Sequence, residues 1–334
     1  GRYANVVQSG IGTALLGLVG FGLVTFKRGV RKRQQESAAT CPMCLGRDSL
    51  APVEGAPGDD KAFQKLICSN IVDHDRQEEC RFEFLSVYQN MTKLSFPTVG
   101  HPASGKTLWL SMAYRQLNQA DFDANILFQK VKSAASEEFD RIVDVIINSR
   151  MDPGATQAYA IPHPLLFDFT DQDRWGDSNA LLNIFDYSGE VTQRLTLDDS
   201  QRRRMLEADG YFFFLDTTKS AYEQAKELVD FAEDVRIVRQ LKSGQPMRAP
   251  VALCVSKIDL LRLQDYADPD GGGPVGKFYD ELQDCDTGRK ISRAGIQRRS
   301  KLVEELRHTI WPGWQIEKQI EKLFGGRFMY FPLT

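Results

Sequence analysis

An α/β fold built on a mostly parallel sheet, preceded by a membrane-spanning helix and a small cysteine-bearing module, is predicted by three features of this sequence. From residue 91 onward, short and almost wholly apolar runs alternate with stretches of helical periodicity, as strands buried on both faces of a sheet require. Ahead of them, four cysteines fall between positions 41 and 80. Further forward still, 23 consecutive residues from Ala4 to Phe26 carry no charge.

The chain has 334 residues, which at about 150 per domain suggests roughly two domains. Charge is nearly balanced, with 42 Lys+Arg against 45 Asp+Glu and a net of -3. That balance excludes a disordered polyelectrolyte, and no nucleic-acid partner held by bulk charge is expected. With 26 Gly and 14 Pro, collagen-like and low-complexity classes are excluded. Six cysteines are too few for a disulfide scaffold, so their spacing carries the information.

As a helix, residues 4–26 would span about 34 Å, enough for a hydrocarbon core of about 30 Å. Their glycines are costly in a water-exposed helix and better tolerated in a bilayer. Lys27, Arg28, Arg31, Lys32 and Arg33 follow, while only Arg2 precedes. The positive-inside rule then puts the carboxyl side in the cytoplasm, and the charge order is wrong for a cleaved signal peptide. A single-pass membrane protein with a cytoplasmic main domain is expected. The competing reading is a buried Gly-rich hairpin or a helix packed on a partner protein. Residues 27–40 form a basic juxtamembrane linker.

Residues 41–90 read as a small zinc-ribbon or zinc-knuckle module. In Cys41-Pro-Met-Cys44 a tight turn aims two thiolates at one ion, and tetrahedral Zn²⁺ suits that geometry. Cys68 and Cys80 are the expected second pair, with His74 as the alternative for either. A reduced turn with two isolated thiols, or a disulfide, are the competing readings; cytoplasmic placement disfavours the disulfide. Few large apolar residues occur between Arg47 and Ala62, so a metal would stabilise what a small core cannot.

Residues 91–334 carry the strands. Leu94 to Val99 is an apolar strand followed by Gly100-His-Pro-Ala-Ser-Gly105-Lys106-Thr107 and a helix. This is GxxxxGKT in its required strand–loop–helix setting. Gly100, Ser104 and Gly105 shape a loop whose amides cradle phosphates. Lys106 reaches the β- and γ-phosphate oxygens, and the Thr107 hydroxyl ligates Mg²⁺. Leu181 to Phe185 is a second strand, delivering Asp186 to the ligand edge to hold the Mg²⁺ shell, with Gly189 offering its amide to the γ-phosphate. Gly210 to Asp216 is a third strand and Ser220 to Leu241 a helix. Ala249 to Val255 is a fourth strand, followed by Ser256-Lys257-Ile258-Asp259. There the Lys257 stem would cover a purine while Asp259 accepts from N1–H and N2–H₂ together, a pairing guanine offers and adenine does not. Arg327 to Leu333 is the last strand.

In that order, GxxxxGKT at Gly100–Thr107, DxxG at Asp186–Gly189 and SKID at Ser256–Asp259 resemble the P-loop GTPases of the Ras-like/translation-factor class. The long chain and its CPxC-bearing front resemble bacterial double-GTPase-type proteins more weakly. The resemblance implies a GTP/GDP switch whose mobile loops are read by a membrane or cytoplasmic protein. Within it, Thr156 is the candidate for the threonine that closes on Mg²⁺, with Thr170 as the alternative. Arg202, Arg203 and Arg204 read as a solvated basic face rather than a phosphate clamp. Three departures stand out. Ser256 replaces the usual Asn or Thr and ties the base loop to the phosphate loop less firmly. Glu190 stands where Gln or His is common, which predicts slow intrinsic hydrolysis. The sequence stops right after the last strand, where the family usually has one further helix, so either that helix is absent from this fragment or another element covers that face. A non-hydrolysing GTP/GDP-binding scaffold is the alternative function.

Overall fold

The computed structural model describes residues 40–53, 64–73, 77–117, 126–148, 164–171, 179–186, 206–265 and 293–333, together with Val275, Phe278 and Glu281. The expected membrane segment at 4–26 and most of the basic linker lie outside these residues. Among the described residues no helix is long and apolar enough to cross a membrane.

The cysteine module begins with a tight turn over Cys41–Gly46, closed by the Leu45 amide on the Cys41 carbonyl at 3.0 Å and the Cys41 amide on the Gly46 carbonyl at 2.9 Å. Five short strands follow: β1 (Leu50–Pro52), β2 (Lys65–Cys68), β3 (Ile71–Asp73), β4 (Glu78–Glu79) and β5 (Glu83–Leu85). They form an antiparallel β1-β2-β5 sheet and a β3-β4 hairpin.

A seven-stranded sheet makes up the second part. Its elements in chain order are β6 (Thr92–Gly100), α1 (Lys106–Leu117), β7 (Ile126–Lys130), α2 (Ala134–Asn148), β8 (Leu165–Asp171), β9 (Asn179–Phe185), β10 (Tyr211–Asp216), α3 (Ala221–Val238), β11 (Val251–Ser256), α4 (Ile258–Asp265), α5 (Arg293–Ile310), α6 (Ile316–Phe324) and β12 (Phe328–Pro332). Strand order is β12-β11-β10-β6-β9-β8-β7. The first five in that order run parallel, and β8 runs against both of its neighbours. All residues of β10 and β11 are buried, which explains their unbroken apolar sequences.

Side-chain alternation along the strands supplies two cores. On one face, Tyr211, Phe213, Leu215, Leu253 and Val255 meet Leu228, Phe231 and Val235 of α3 and Ile320 and Phe324 of α6. On the other, Phe96, Leu182, Ile184, Phe212 and Phe214 meet Trp109, Leu110 and Tyr114 of α1. Ser220 caps α3 by accepting the Glu223 amide at 3.2 Å while Glu223 takes the Ser220 amide at 2.9 Å, a reciprocal box worth about 1 kcal/mol.

The strand β7, the short strands of the cysteine module and the helices α4, α5 and α6 were not singled out by periodicity. The expected uncovered face beside the last strand is partly filled by α5. Its Ile296 packs with Phe331 and Leu333, and its Ser300 hydroxyl oxygen accepts the Tyr330 amide at 2.9 Å.

Candidate functional site

Because β6, β10 and β11 are parallel, their carboxyl ends open on one edge. Gly100 is level with Phe214, and Phe214 is level with Cys254, so the loops after β6 and β11 stand two inter-strand spacings apart, about 10 Å. On the other side, Phe185 is level with Pro97, which brings Asp186 to the flank of the loop after β6. Helices α1 and α3 lie on opposite faces here, so the loop occupies the point where an open α/β sheet reverses its winding.

The loop itself is built by backbone geometry. At Gly100 φ is 149°, and a Cβ there would lie 2.9 Å from Phe214 Cβ and 3.0 Å from the Phe214 carbonyl oxygen. Only glycine lets β6 pass β10 this closely. Gly105 turns the chain into α1 at a φ of 86°, where a side chain would have space but a strained backbone. Lys106 is 6% exposed and curls inward, donating to the carbonyls of Gly100 and His101 at 2.8 Å each and to the Ser104 hydroxyl oxygen at 3.4 Å. Burial pushes its ammonium down to about 8, against the opposing pull of Asp186, Glu227 and Asp216. An ammonium held on loop carbonyls among three acidic groups is a cation awaiting an anion.

The Thr107 hydroxyl donates to Asp186 Oδ2 at 2.7 Å, and Thr98 donates to Asp186 Oδ1 at 3.5 Å and to the Phe185 carbonyl at 3.2 Å. A hydroxyl and a carboxylate converge beside the loop, the hard-oxygen pairing that Mg²⁺ favours. Next to them, His101 Nε2 stands 3.0 Å from Glu227 Oε2 of α3, with both side chains largely buried. Burial, with Lys219 nearby, pushes the His101 imidazole down.

The base loop is fixed from β10. The Ser256 hydroxyl donates to the Leu215 carbonyl at 3.3 Å, so it is tied to the neighbouring strand rather than to the phosphate loop. Lys257 has a φ of 61°, and its ammonium meets Asp216 Oδ2 at 2.7 Å. Thr217 donates its hydroxyl to the Lys257 carbonyl at 2.9 Å. Burial raises the Asp216 carboxyl, but the ion pair and two bonds from Thr218 outweigh it and hold the group below the usual carboxylate value. Buried Ile258 anchors the start of α4 and leaves Asp259 exposed beyond the end of β11. Asp216 was missed by motif reading. Its signal was an apolar strand ending in a carboxylate, the same pattern that marked Asp186.

Thr170 is not at this edge. Strand β8 runs the opposite way, so Thr170 lies level with Asn179 at the amino end of β9, and its hydroxyl donates to Asn179 Oδ1 at 2.8 Å. The same direction places the amino end of β8 at the ligand edge, since Leu165 is level with Ile184. Thr156, Gly189, Glu190 and Arg202–Arg204 lie outside the described residues.

The second constellation is the cysteine cluster. The sulfurs of Cys41, Cys44, Cys68 and Cys80 all lie within 4.8 Å of one another, with Cys41–Cys80 at 3.9 Å and Cys44–Cys68 at 3.7 Å. Those separations are far beyond a disulfide bond of about 2.05 Å. They match the edge of a tetrahedron of sulfurs about 2.3 Å from a central Zn²⁺, which is about 3.8 Å. Amides of Met43 and Gly46 donate to Cys41 and Cys44 at 3.4 and 3.3 Å, and Asn70 Nδ2 donates to Cys44 at 3.4 Å, as thiolates require. Burial pushes the Cys41 thiol up, while hydrogen bonds from the other three thiols hold Cys44 well down. Cys68 stands at about 7, with the bond from Cys41 the largest influence. The four sulfurs form one compact set of candidate donors for a metal ion; His74 lies outside the described residues.

No curated protein matches the chain. The family model described as Double-GTPase 2 matches residues 96–298, a span running from β6 into α5 that contains the phosphate loop, Asp186 and the base loop. With three loops gathered at one edge of a mostly parallel sheet and that match over more than half its length, the chain belongs to the Double-GTPase 2 family and is a GTP-binding protein.

Proposed function

We propose that this protein is a single-pass membrane GTPase that hydrolyses GTP to GDP and phosphate as a slow conformational switch. Residues 4–26 anchor it, 27–40 link the anchor to the cytoplasmic side, 41–90 form a zinc module, and 91–334 form the GTPase domain. The observation that carries the reading is the gathering of Lys106, Thr107, Asp186, Lys257 and Asp259 at one sheet edge, flanking the switch-point crevice.

In this reading the amides from Gly100 to Thr107, Ser104 among them, surround the phosphates, and Lys106 leaves the loop carbonyls to neutralise them. Mg²⁺, held by Thr107 and by Asp186, would supply charge neutralisation on the β- and γ-phosphate oxygens. Lys257, braced by Asp216, lies along the purine, and Asp259 reads the guanine N–H groups. Thr156 and Gly189 belong to the loops that order around the γ-phosphate, and Glu190 to the position that orients the attacking water. Catalysis is then chiefly electrostatic positioning. The ordered loops are the surface that a membrane or cytoplasmic partner reads. Zn²⁺ on Cys41, Cys44, Cys68 and Cys80 stabilises the amino-terminal module.

Calorimetry of GTP, GDP and ATP with Mg²⁺, on wild type and Asp259→Ala, tests the base assignment. Wild type is expected to prefer guanine nucleotides by at least tenfold, equivalent to about 1.4 kcal/mol, and the variant to lose that preference. Equal preference in the two proteins refutes the role of Asp259. Single-turnover phosphate release with Glu190→Gln tests hydrolysis, and an unchanged rate refutes the role of Glu190. Tight GTP binding without any release favours a membrane scaffold that holds nucleotide.

A further inference from the structure

We propose that the four-cysteine module and the nucleotide site are energetically coupled, with Asn183 of β9 as the positioning residue that joins them. The inference rests on the zinc and nucleotide assignments above and adds a connection between them.

Strand β9 reads Asn179-Ala-Leu-Leu-Asn-Ile-Phe185, and every residue after the first is buried. Burial on both faces selects apolar side chains, so a fully buried amide at 183 is costly unless it is bonded. Asn183 Nδ2 donates to the Pro42 carbonyl at 3.2 Å, a contact between residues 141 positions apart. Pro42 sits inside the turn that presents Cys41 and Cys44. Around this bond, Val131, Leu166 and Leu181 share one apolar cluster with Cys41, Met43, Cys44 and Phe84. The turn thus rests directly on β8 and on β9, the strand that carries Asp186 at its tip.

Alternation gives β9 two working faces. Leu181 and Asn183 face the cysteine module, while Leu182 and Ile184 pack in the core beneath α1. Asp186 follows at the tip, three residues or about 10 Å beyond Asn183, where Oδ2 accepts from Thr107. The seam on the module side is polar as well as apolar. Asn183 Oδ1, Oγ of its register neighbour Ser95 on β6, and Asp168 Oδ1 on β8 are buried with no hydrogen-bond partner among the described residues. Each such atom carries a desolvation cost in this arrangement, so a shift of β9 that brings it a partner is favoured. Nucleotide binding breaks the Thr107–Asp186 bond and re-aims the tip of β9. The strand transmits that shift to the hydrogen bond that Asn183 Nδ2 donates to the carbonyl between two of the cysteines.

Coupling of this kind is reciprocal. In the full chain, zinc affinity is measured by chelator competition without nucleotide, with Mg–GDP, and with a Mg-bound non-hydrolysable GTP analogue. It is expected to change by about fivefold or more between the free and nucleotide-bound states. Nucleotide affinity is expected to change by the same factor between zinc-loaded and zinc-stripped protein. Asn183→Leu, which keeps the branched shape and the number of heavy atoms and removes the amide, is expected to bind both ligands with the factor reduced toward one. Equal zinc affinities in a wild-type protein that binds both ligands overturn the proposal, as does an undiminished factor in Asn183→Leu. Should Asn183→Leu not fold, Asn183→Ala serves in its place and the wild-type cycle still decides whether coupling exists. A chain that takes up no zinc fails at the metal assignment itself, recognised by metal content, and one that binds no guanine nucleotide fails at the site assignment.

Discussion

Raising the pH from 7 to 9 is expected to weaken Mg–GDP binding about tenfold, and the cause is one side chain. Lys106 is 6% exposed and its ammonium is pushed by burial to about 8 from an ordinary 10.5. Bound phosphates supply the missing counter-charge and return the group toward or above its ordinary value. The pKa in the complex thus exceeds that of the empty loop, so this contribution to affinity is fully present below about 8 and is lost as pH rises above it. At pH 9 about one loop in eleven is protonated, which gives the tenfold loss; complete loss of a shift of that size corresponds to about 3 kcal/mol. The α- and β-phosphates of Mg-bound GDP are already ionised across this range and add no slope of their own, and the guanine N1–H, which begins to ionise only near its top, adds the same slope to Lys106→Arg. Fluorescence titration with a labelled GDP from pH 7 to 9.5 measures the effect. Lys106→Arg provides the control, because a guanidinium does not titrate there. A flat wild-type profile, or an equal decline in Lys106→Arg, would refute the reasoning.

Two further perturbations test the frame around the site. Gly100→Ala forces a Cβ to 2.9 Å from Phe214 Cβ at a φ of 149°, and is expected to cost about 1–3 kcal/mol, read as a lowered thermal midpoint together with weakened nucleotide binding. An unchanged midpoint would mean that β6 and β10 can separate at no cost. Cys44→Ser removes one of four sulfurs, and is expected to abolish stoichiometric zinc uptake in a metal assay and to raise protease cleavage within residues 41–90. Retention of one zinc per chain would show that three sulfurs and another donor suffice.

How much of this was readable in the sequence depended on the range of the interaction concerned. The strands β6, β9, β10 and β11 were legible because a parallel strand buried on both faces is largely apolar, and polar residues such as Ser95 and Asn183 interrupt their runs only singly. The phosphate loop was legible because glycines, a lysine and a threonine at fixed spacing do their work within eight residues. Strand β7, at the edge, offers only Ile-Leu-Phe-Gln-Lys and exposes Leu127, so its pattern was too weak to find. The short strands around the cysteines run only two to four residues each, too few to show an alternation. Thr170 shows the limit in another way: its candidacy depended on which way β8 runs, and strand direction is set by pairing with Asn179–Ile184, not by local sequence.

By itself the sequence determined the chemistry available: a GxxxxGKT loop, a carboxylate at a strand end, a candidate base-reading Asp259, and four thiols spaced for a metal. Only the tertiary structure decided which groups meet. It set Asp216 against Lys257, Glu227 against His101, and the Pro42 carbonyl against Asn183. Each of those pairs joins residues far apart in the chain, and sheet order and register, not spacing, bring them within hydrogen-bond reach.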